Sequence, residues 1–375
     1  MKVRDRDAPV TREGIIFRVY GYDHPPNSCV CDVEYAPETI YKTDDPRAIR
    51  NGKKIKYYKF YFDGGLKFVR DHFPHYQVFC APLRRKLVGL SEEQILELRR
   101  PDEKLAVLFN SDRDDPLLRT MRRVLNEIFE ISKLRISDFG VFGSILHDFY
   151  NPQYSDIDLI IYGRREVQEL VETLSSFYKN KNSRLRNEFE TWDPSMPPFH
   201  WNFKNYSKAE YGWYQKRKKI YAVYNSPYLG RTVKVEFEPV RKWDEIINEY
   251  TELEEIRVVG WIKAVVRIID DVDSYFMPSI YPIEVLETSS EFLDKNITRI
   301  VSYVEEFRMQ LKKDEIGIVE GRLEKVVRKK DEFYQITLTY GENYFNQVLK
   351  LYDKKYSKIY AMSIKSRSRY FYSLV

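Results

Sequence analysis

Cysteine is scarce: there are only Cys29, Cys31 and Cys80, with no Cys-x-x-Cys pair and no Cys/His spacing of a zinc site. A disulfide scaffold and a structural zinc module are therefore excluded. Cys29 and Cys31 alternate with Val30 in an apolar run, which predicts a buried strand face. No stretch reaches the ~18 consecutive apolar residues of a membrane helix, and the amino terminus, MKVRDRDAPVTREG, lacks the apolar centre of a signal peptide. A cytoplasmic protein with no membrane partner is expected. There is no internal repeat and no low-complexity linker. Charge of one sign is barely in excess, since 62 Lys and Arg against 57 Asp and Glu leave +5, so a polyanion would have to be held by clustered cations.

A chain of 375 residues exceeds what one hydrophobic core organises, so several units are predicted. Apolar residues at 43% and charged residues at 32% describe a folded globular chain, with a Lys/Arg/Glu-rich surface compatible with a thermophile. Tyrosine is abundant, which suits core packing and base stacking equally.

Residues 1–110 read as an α+β unit, with strand-like runs GIIFRVYGY, SCVCDVEYA and KIKYYKFYF. SEEQILELRR is expected to start a helix, with Ser91 and Gln94 at capping-box spacing and Pro101 ending it. Residues 111–252 show a different pattern. Asp115 and Pro116 open an amphipathic helix, then come the strand DFGVF, a Gly-Ser turn, the strand IDLIIYG and the helix EVQELVETLSSFY. TVKVEFEPV alternates, placing Val233, Val235 and Phe237 on one face and Lys234, Glu236 and Glu238 on the other. KWDEIINEYTELEE is read as a further helix. Residues 253–375 carry five β runs, including GIVEGRLEKV with Gly321 where a barrel strand would bend, and predict a small β-barrel of OB-like kind. The acidic DDVD at 270–273 reads as a turn.

Chemistry concentrates in FGVFGSILHDFYNPQYSDIDLIIYG. Alternate residues of a strand share a face, so Asp156 and Asp158 stand side by side, roughly 6.5 to 7 Å apart at their Cα atoms. Two bare carboxylates there repel, whereas divalent cations between them reverse the sign. Two metals about 3.5 to 4 Å apart suit in-line nucleotidyl displacement. Mg2+ is the hard ion expected, with Mn2+ as the alternative. Gly143 lets backbone approach a phosphate while Ser144 and nearby N–H groups donate to it. Glu236 is the candidate third acid and Glu238 its reserve. Lys216, Arg217, Lys218 and Lys219 form a basic run, with Lys216 and Lys218 as candidate nucleotide contacts and a solvated loop as the alternative. His147 reads as a structural or solvent-facing loop residue.

These residues resemble the signature of the polymerase-β-type nucleotidyltransferase superfamily, archaeal-type members included, over about residues 115 to 240. The family pairs an apolar strand ending in Gly-Ser with an Asp-x-Asp strand and a third acid on a later strand. The resemblance implies an α+β protein whose nucleotidyltransferase core is a mixed sheet with flanking helices, set between the N-terminal α+β unit and the C-terminal barrel. It also implies that Gly143 and Ser144 hold the outer phosphates of a nucleoside triphosphate, that Asp156 and Asp158 hold both metals, and that Glu236 holds the metal beside the acceptor hydroxyl. Many members have glycine four residues after the serine, where this chain has Asp148, and the NPQY stretch before Ser155 is long. A carboxylate near a triphosphate is unfavourable unless it faces away. The implied reaction moves a nucleoside monophosphate from an NTP, ATP first, to an acceptor hydroxyl with release of pyrophosphate. RNA is the expected acceptor, tRNA included, and protein hydroxyls are the further option. The competing reading is a catalytically inactive protein of the same fold that binds RNA or the ribosome.

Overall fold

The computed structural model of the chain describes every residue except 53, 62, 114, 194–201, 293, 342 and 353–375. The run PSMPPFHWNF, read as an irregular loop, lies largely outside the described residues.

The N-terminal sheet is built from β1 (Ala8–Val10), β2 (Ile16–Val19), β3 (Ser28–Pro37), β4 (Ile49–Asn51), β5 (Lys56–Lys59), β6 (Gln77–Cys80), β7 (Arg85–Ser91) and β8 (Glu97–Arg99), with α1 (Gly64–His72) between β5 and β6. Its order is β4-β5-β3-β2-β1-β8, and the β6–β7 hairpin joins through β3. Cys29 and Cys31 face its core with Val33 and Phe17, as their alternation predicts. SEEQILELRR is not one helix. The Ser91–Gln94 capping box exists, yet it closes a single 3-10 turn before β8. Pro101 then opens α2 (Pro101–Phe109) rather than ending a helix. Its missing N–H is harmless in a first turn, and its ring would be harmful only further in.

The central unit begins with α3 (Pro116–Ile131), where Asp115 Oδ1 accepts from the N–H groups of Leu117 and Leu118, both at 3.0 Å. Next come β9 (Phe139–Val141), the short α4 (Gly143–Leu146), β10 (Ile157–Tyr162), α5 (Arg164–Lys179), β11 (Leu185–Asn187), α6 (Lys208–Lys218), β12 (Tyr221–Ser226) and β13 (Arg231–Val240). The sheet order is β11-β12-β13-β10-β9, with β10 and β13 parallel and the other pairs antiparallel. Leu117, Val124 and Leu125 of α3 and Leu170 and Leu174 of α5 share one core with Ile157, Leu159, Val233, Val235 and Phe237. The helices therefore cover one face of the sheet, and period two sends Asp158, Glu236 and Glu238 to the other. Leu105 and Leu108 bury in this same core, so α2 packs with the central sheet although it precedes residue 110.

KWDEIINEYTELEE is not a helix either: it makes two 3-10 turns, Trp243–Glu245 and Glu249–Glu252, and then enters a strand. That strand is β14 (Leu253–Ile268), succeeded by β15 (Ser279–Thr288), β16 (Ile297–Ser302), β17 (Ile316–Arg328), β18 (Glu332–Leu338) and β19 (Val348–Leu351). The five expected runs are β14 to β18. β14 pairs β15, β15 pairs β16, β16 pairs β18 in parallel, β18 pairs β17, and β17 returns to β14, which closes a barrel that β19 extends at β17. Gly321 serves close packing rather than a bend. Its register with Ile262 is unbroken, and a Cβ there would strike Leu338 and the Thr337 carbonyl. DDVD is a turn as expected, with Asp273 bound to Arg164 at 2.8 Å and Arg241 at 3.0 Å.

Candidate active site

The parallel pairing of β10 with β13 sets Asp158 opposite Glu236 and Ile160 opposite Glu238. Asp156 immediately precedes β10, two residues from Asp158, and so joins the same face. The loop before it is a closed turn. Ser155 N–H donates to Asn151 O at 2.8 Å, Asn151 N–H donates to Ser155 Oγ at 2.8 Å, and the Arg231 guanidinium ties down the carbonyls of Pro152 and Ser155. The NPQY stretch therefore fixes where β10 begins.

Gly143 comes just after β9 at φ +60, and a Cβ on it would collide with the Asp158 carboxylate. Only glycine satisfies both demands. The Phe142 N–H donates to the Asp158 carbonyl at 3.1 Å, so the Gly-Ser turn and the acid strand are bonded side by side. Asp148 points elsewhere. It sits at φ +58 with its carboxylate on Lys104 Nζ at 2.9 Å and Arg113 Nη1 at 3.0 Å, among residues lining a cleft of about 690 Å3 on the α2 side. His147 is buried, as a structural role predicts, with Nδ1 3.1 Å from Arg99 Nη1 and Nε2 3.7 Å from Glu34.

The three acids share one electrostatic problem. Burial pushes the Asp158 carboxyl up to about 7; Lys59 opposes the rise while Asp156 and Glu34 add to it. Burial likewise lifts Glu236 to about 8, with Asp158 and Glu238 adding to it. Asp156 is raised by burial against the pull of Lys234 and Arg231. Carboxylates that drive one another toward protonation are a donor set short of positive charge, and hard oxygen donors suit a hard divalent cation. Among the described residues no three His, Cys, Asp or Glu side chains converge as a formed metal cage; the acids line the face as a row.

Glu238 has a different occupation. Burial opposes its ionisation, but the Arg308 and Arg6 guanidinium groups hold its carboxyl far below the usual range. Arg308 Nη2 donates to Oε1 at 2.8 Å while its Nη1 bonds Oε2, and Arg6 Nη2 reaches Oε2 at 2.9 Å. The reserve acid is thus committed to ion pairs and Glu236 is the one turned to Asp158.

The basic run is the end of α6 rather than a solvated loop. Lys216 pairs with Glu190 at 3.0 Å, Arg217 pairs with Glu315, and Lys218 is buried with Nζ donating to the Glu306 carbonyl at 2.9 Å. The side-chain partners of Lys216 and Lys218 are thus Glu190 and the Glu306 carbonyl rather than the three acids. Sequence reading missed the cations that are there. Lys234 and Arg231 act on Asp156, and Lys59 comes from the N-terminal sheet to act on Asp158. Lys234 alone was legible, since it alternates onto the face of Glu236.

Residues 118–229 match the family model of the nucleotidyltransferase domain. That span contains Gly143, Ser144, Asp156 and Asp158 and ends before Glu236. An uncharacterized protein of the archaeon Methanocaldococcus jannaschii is 28% identical over 357 residues, covering 94% of this chain and 99% of its own length. No solved structure matches the chain. Among the described residues no helix is long and apolar enough to cross a membrane.

Proposed function

We propose that this chain, whose middle third carries a nucleotidyltransferase domain, transfers a nucleoside monophosphate from an NTP to an acceptor hydroxyl in the cytoplasm. The observation that carries the reading is the side-by-side placement of Asp158 and Glu236 on parallel strands, on the face left open by α3 and α5 and beside the Gly143 turn. Asp156 and Asp158 would hold both Mg2+ ions, with Mn2+ as a substitute, and Glu236 the ion beside the acceptor. Bound there, the ions supply charge for the transition state and lower the pKa of the attacking hydroxyl. Gly143, Ser144 and the adjoining N–H groups orient the outer phosphates. The acceptor oxygen forms a bond to the α-phosphorus, the bond from that phosphorus to the bridging β-oxygen breaks, pyrophosphate leaves, and the acceptor proton passes to a carboxylate or to water.

RNA, tRNA included, is the acceptor favoured here. The barrel's strand order, with its third and fifth strands parallel, supports an OB-like reading of residues 253–375, and OB folds bind oligonucleotides. Tyr340 and Tyr344 stack with centroids 4.9 Å apart and planes 4° from parallel, and Tyr340 is 39% exposed, a surface on which a base can stack. Division of the chain near residues 110 and 252 fits the three sheets, with α2 moved to the central unit. Asp148 and the loop before Ser155 are the features that favour an inactive RNA- or ribosome-binding protein, whereas the pairing of Asp148 with Lys104 and Arg113 supports the active reading.

The test is incubation of the purified chain with Mg2+, each α-labelled NTP in turn, and total RNA or lysate protein. Label in RNA that vanishes with Asp158→Ala supports the reading. Label in protein moves the acceptor, and no label in either with any NTP overturns it.

A further inference from the structure

The N-terminal sheet is built onto the Gly-Ser turn. Ala8, Val10, Ile16 and Tyr35 form one buried cluster with Leu146 and Phe149, which lie just beyond Ser144 in the chain. The Phe149 ring lies 4.6 Å from Tyr57 and 5.5 Å from Tyr35. Lys59 is two residues beyond Tyr57 on β5 and directly opposite Tyr35 on β3, so its side chain leaves the sheet on the face that covers the turn. β3 is bulged beside it: Ile16 pairs with Tyr35 and the next residue, Phe17, with Val33, which leaves Glu34 as the extra residue. A bulge re-aims a side chain, and Glu34 reaches the His147 imidazole at 3.7 Å. Lys59 is half-buried on the face that covers the turn, carried by an element outside the nucleotidyltransferase domain.

We propose that Lys59 is a triphosphate-binding residue, supplied by the N-terminal sheet to the β- and γ-phosphates of a nucleoside triphosphate seated at the Gly143–Ser144 turn. This rests on the nucleotidyl-transfer reading and adds to it a role for the N-terminal sheet. From that face the ammonium donates a charged hydrogen bond to an outer phosphate oxygen, a strong kind of hydrogen bond.

The test is equilibrium binding of a non-hydrolysable ATP analogue and of AMP, both with Mg2+, to the full chain and to Lys59→Met and Lys59→Arg. Lys59→Met should weaken the triphosphate about tenfold or more and leave AMP unchanged, while Lys59→Arg stays within about threefold of the parent. Equal loss for both ligands would assign Lys59 a structural role and overturn the proposal. If the parent binds the analogue and Lys59→Met binds it equally well, the proposal falls while the nucleotidyl-transfer reading stands; if the parent binds no NTP, both fall. A variant-free measurement covers the case in which Lys59→Met does not fold. The Mg2+–analogue complex should protect Lys59 of the parent from amine acetylation, read by mass spectrometry, where AMP does not. Equal labelling with either ligand again overturns the proposal.

Discussion

Replacing Asp158 by Asn is expected to stabilise the metal-free protein at alkaline pH. The Asp158 carboxyl ionises near pH 7 in the fold, chiefly because it is buried, against 3.8 for an unperturbed aspartate. A raised carboxyl pKa means that the folded chain binds more protons than the unfolded one between these values, so stability falls as pH climbs from about 4 to about 7 and stays low above. At 1.36 kcal/mol for each tenfold, the ionised group costs about 4 kcal/mol at pH 8. Part of that burden is shared with Glu236, and an Asn amide must find its own partner, so about 2 kcal/mol is the working figure. For a unit of 150–250 residues this is a rise in Tm of about 4–8 °C. Scanning calorimetry of both proteins in EDTA at pH 5 and pH 8 measures it. The gap should open at pH 8, shrink at pH 5, and close when Mg2+ is added, since the ion stabilises the parent more. An Asp158→Asn protein that melts no higher than the parent at pH 8 in EDTA would refute the idea that the acid row lacks positive charge.

Gly143→Ala meets both an unfavourable positive φ and the Asp158 carboxylate, so it should lose about 2 kcal/mol in urea denaturation and essentially all transfer activity. Arg308→Met leaves Glu238 buried with Arg6 as its remaining guanidinium partner, and a loss of about 3–5 kcal/mol is expected by the same measurement, with Glu238→Gln costing a similar amount because it strands the buried Arg308 guanidinium. Asp148→Asn removes one side of partly exposed pairs with Lys104 and Arg113, so stability should change by about 1 kcal/mol or less and NTP binding by no more than about threefold. Tyr340→Ala should weaken single-stranded RNA about tenfold in a fluorescence-anisotropy titration, while leaving ATP-analogue binding unchanged.

The acid row was legible because a strand converts sequence spacing into geometry. Asp156 and Asp158 are two apart, Glu236 alternates with Val235 and Phe237, and the partner faces are apolar enough to fix which way each points. The choice between Glu236 and Glu238 was not legible, because it depends on Arg6 and Arg308, which lie 232 and 70 residues away from Glu238. The partners of the basic run were not legible for the same reason. Its charges look free in sequence, but Glu190, Glu315 and the Glu306 carbonyl meet them in the fold. The capping box at Ser91 was real yet weak evidence for a helix, since it satisfies the end of one turn and does not constrain the chain beyond Ile95. β-strand periodicity gave no hint that the N-terminal sheet covers the Gly-Ser turn, because that contact is between Tyr35, Tyr57 and Phe149 and leaves no local pattern.

The ion network beside Glu236 bears on why three sheets share one chain. Arg6 precedes the N-terminal sheet, Glu238 is on β13, and Glu305 and Arg308 come from the connection between β16 and β17 of the barrel. Arg6 bonds Glu238 and Glu305, both at 2.9 Å, and Arg308 bonds both oxygens of Glu238. Burying these groups gains little net stability, because each loses its hydration, and well-packed apolar residues would serve cohesion as well. What such a network does supply is register: sliding the barrel or the N-terminal sheet against β13 strands a buried charge. Glu238 is two residues from Glu236 on one strand, so the same pairs that lock the three sheets together also set the backbone under Glu236. Under the nucleotidyl-transfer reading this is a geometric necessity. A triphosphate held from the N-terminal side and an acceptor delivered from the barrel side must meet at one phosphorus atom, and small misplacements there cost rate steeply.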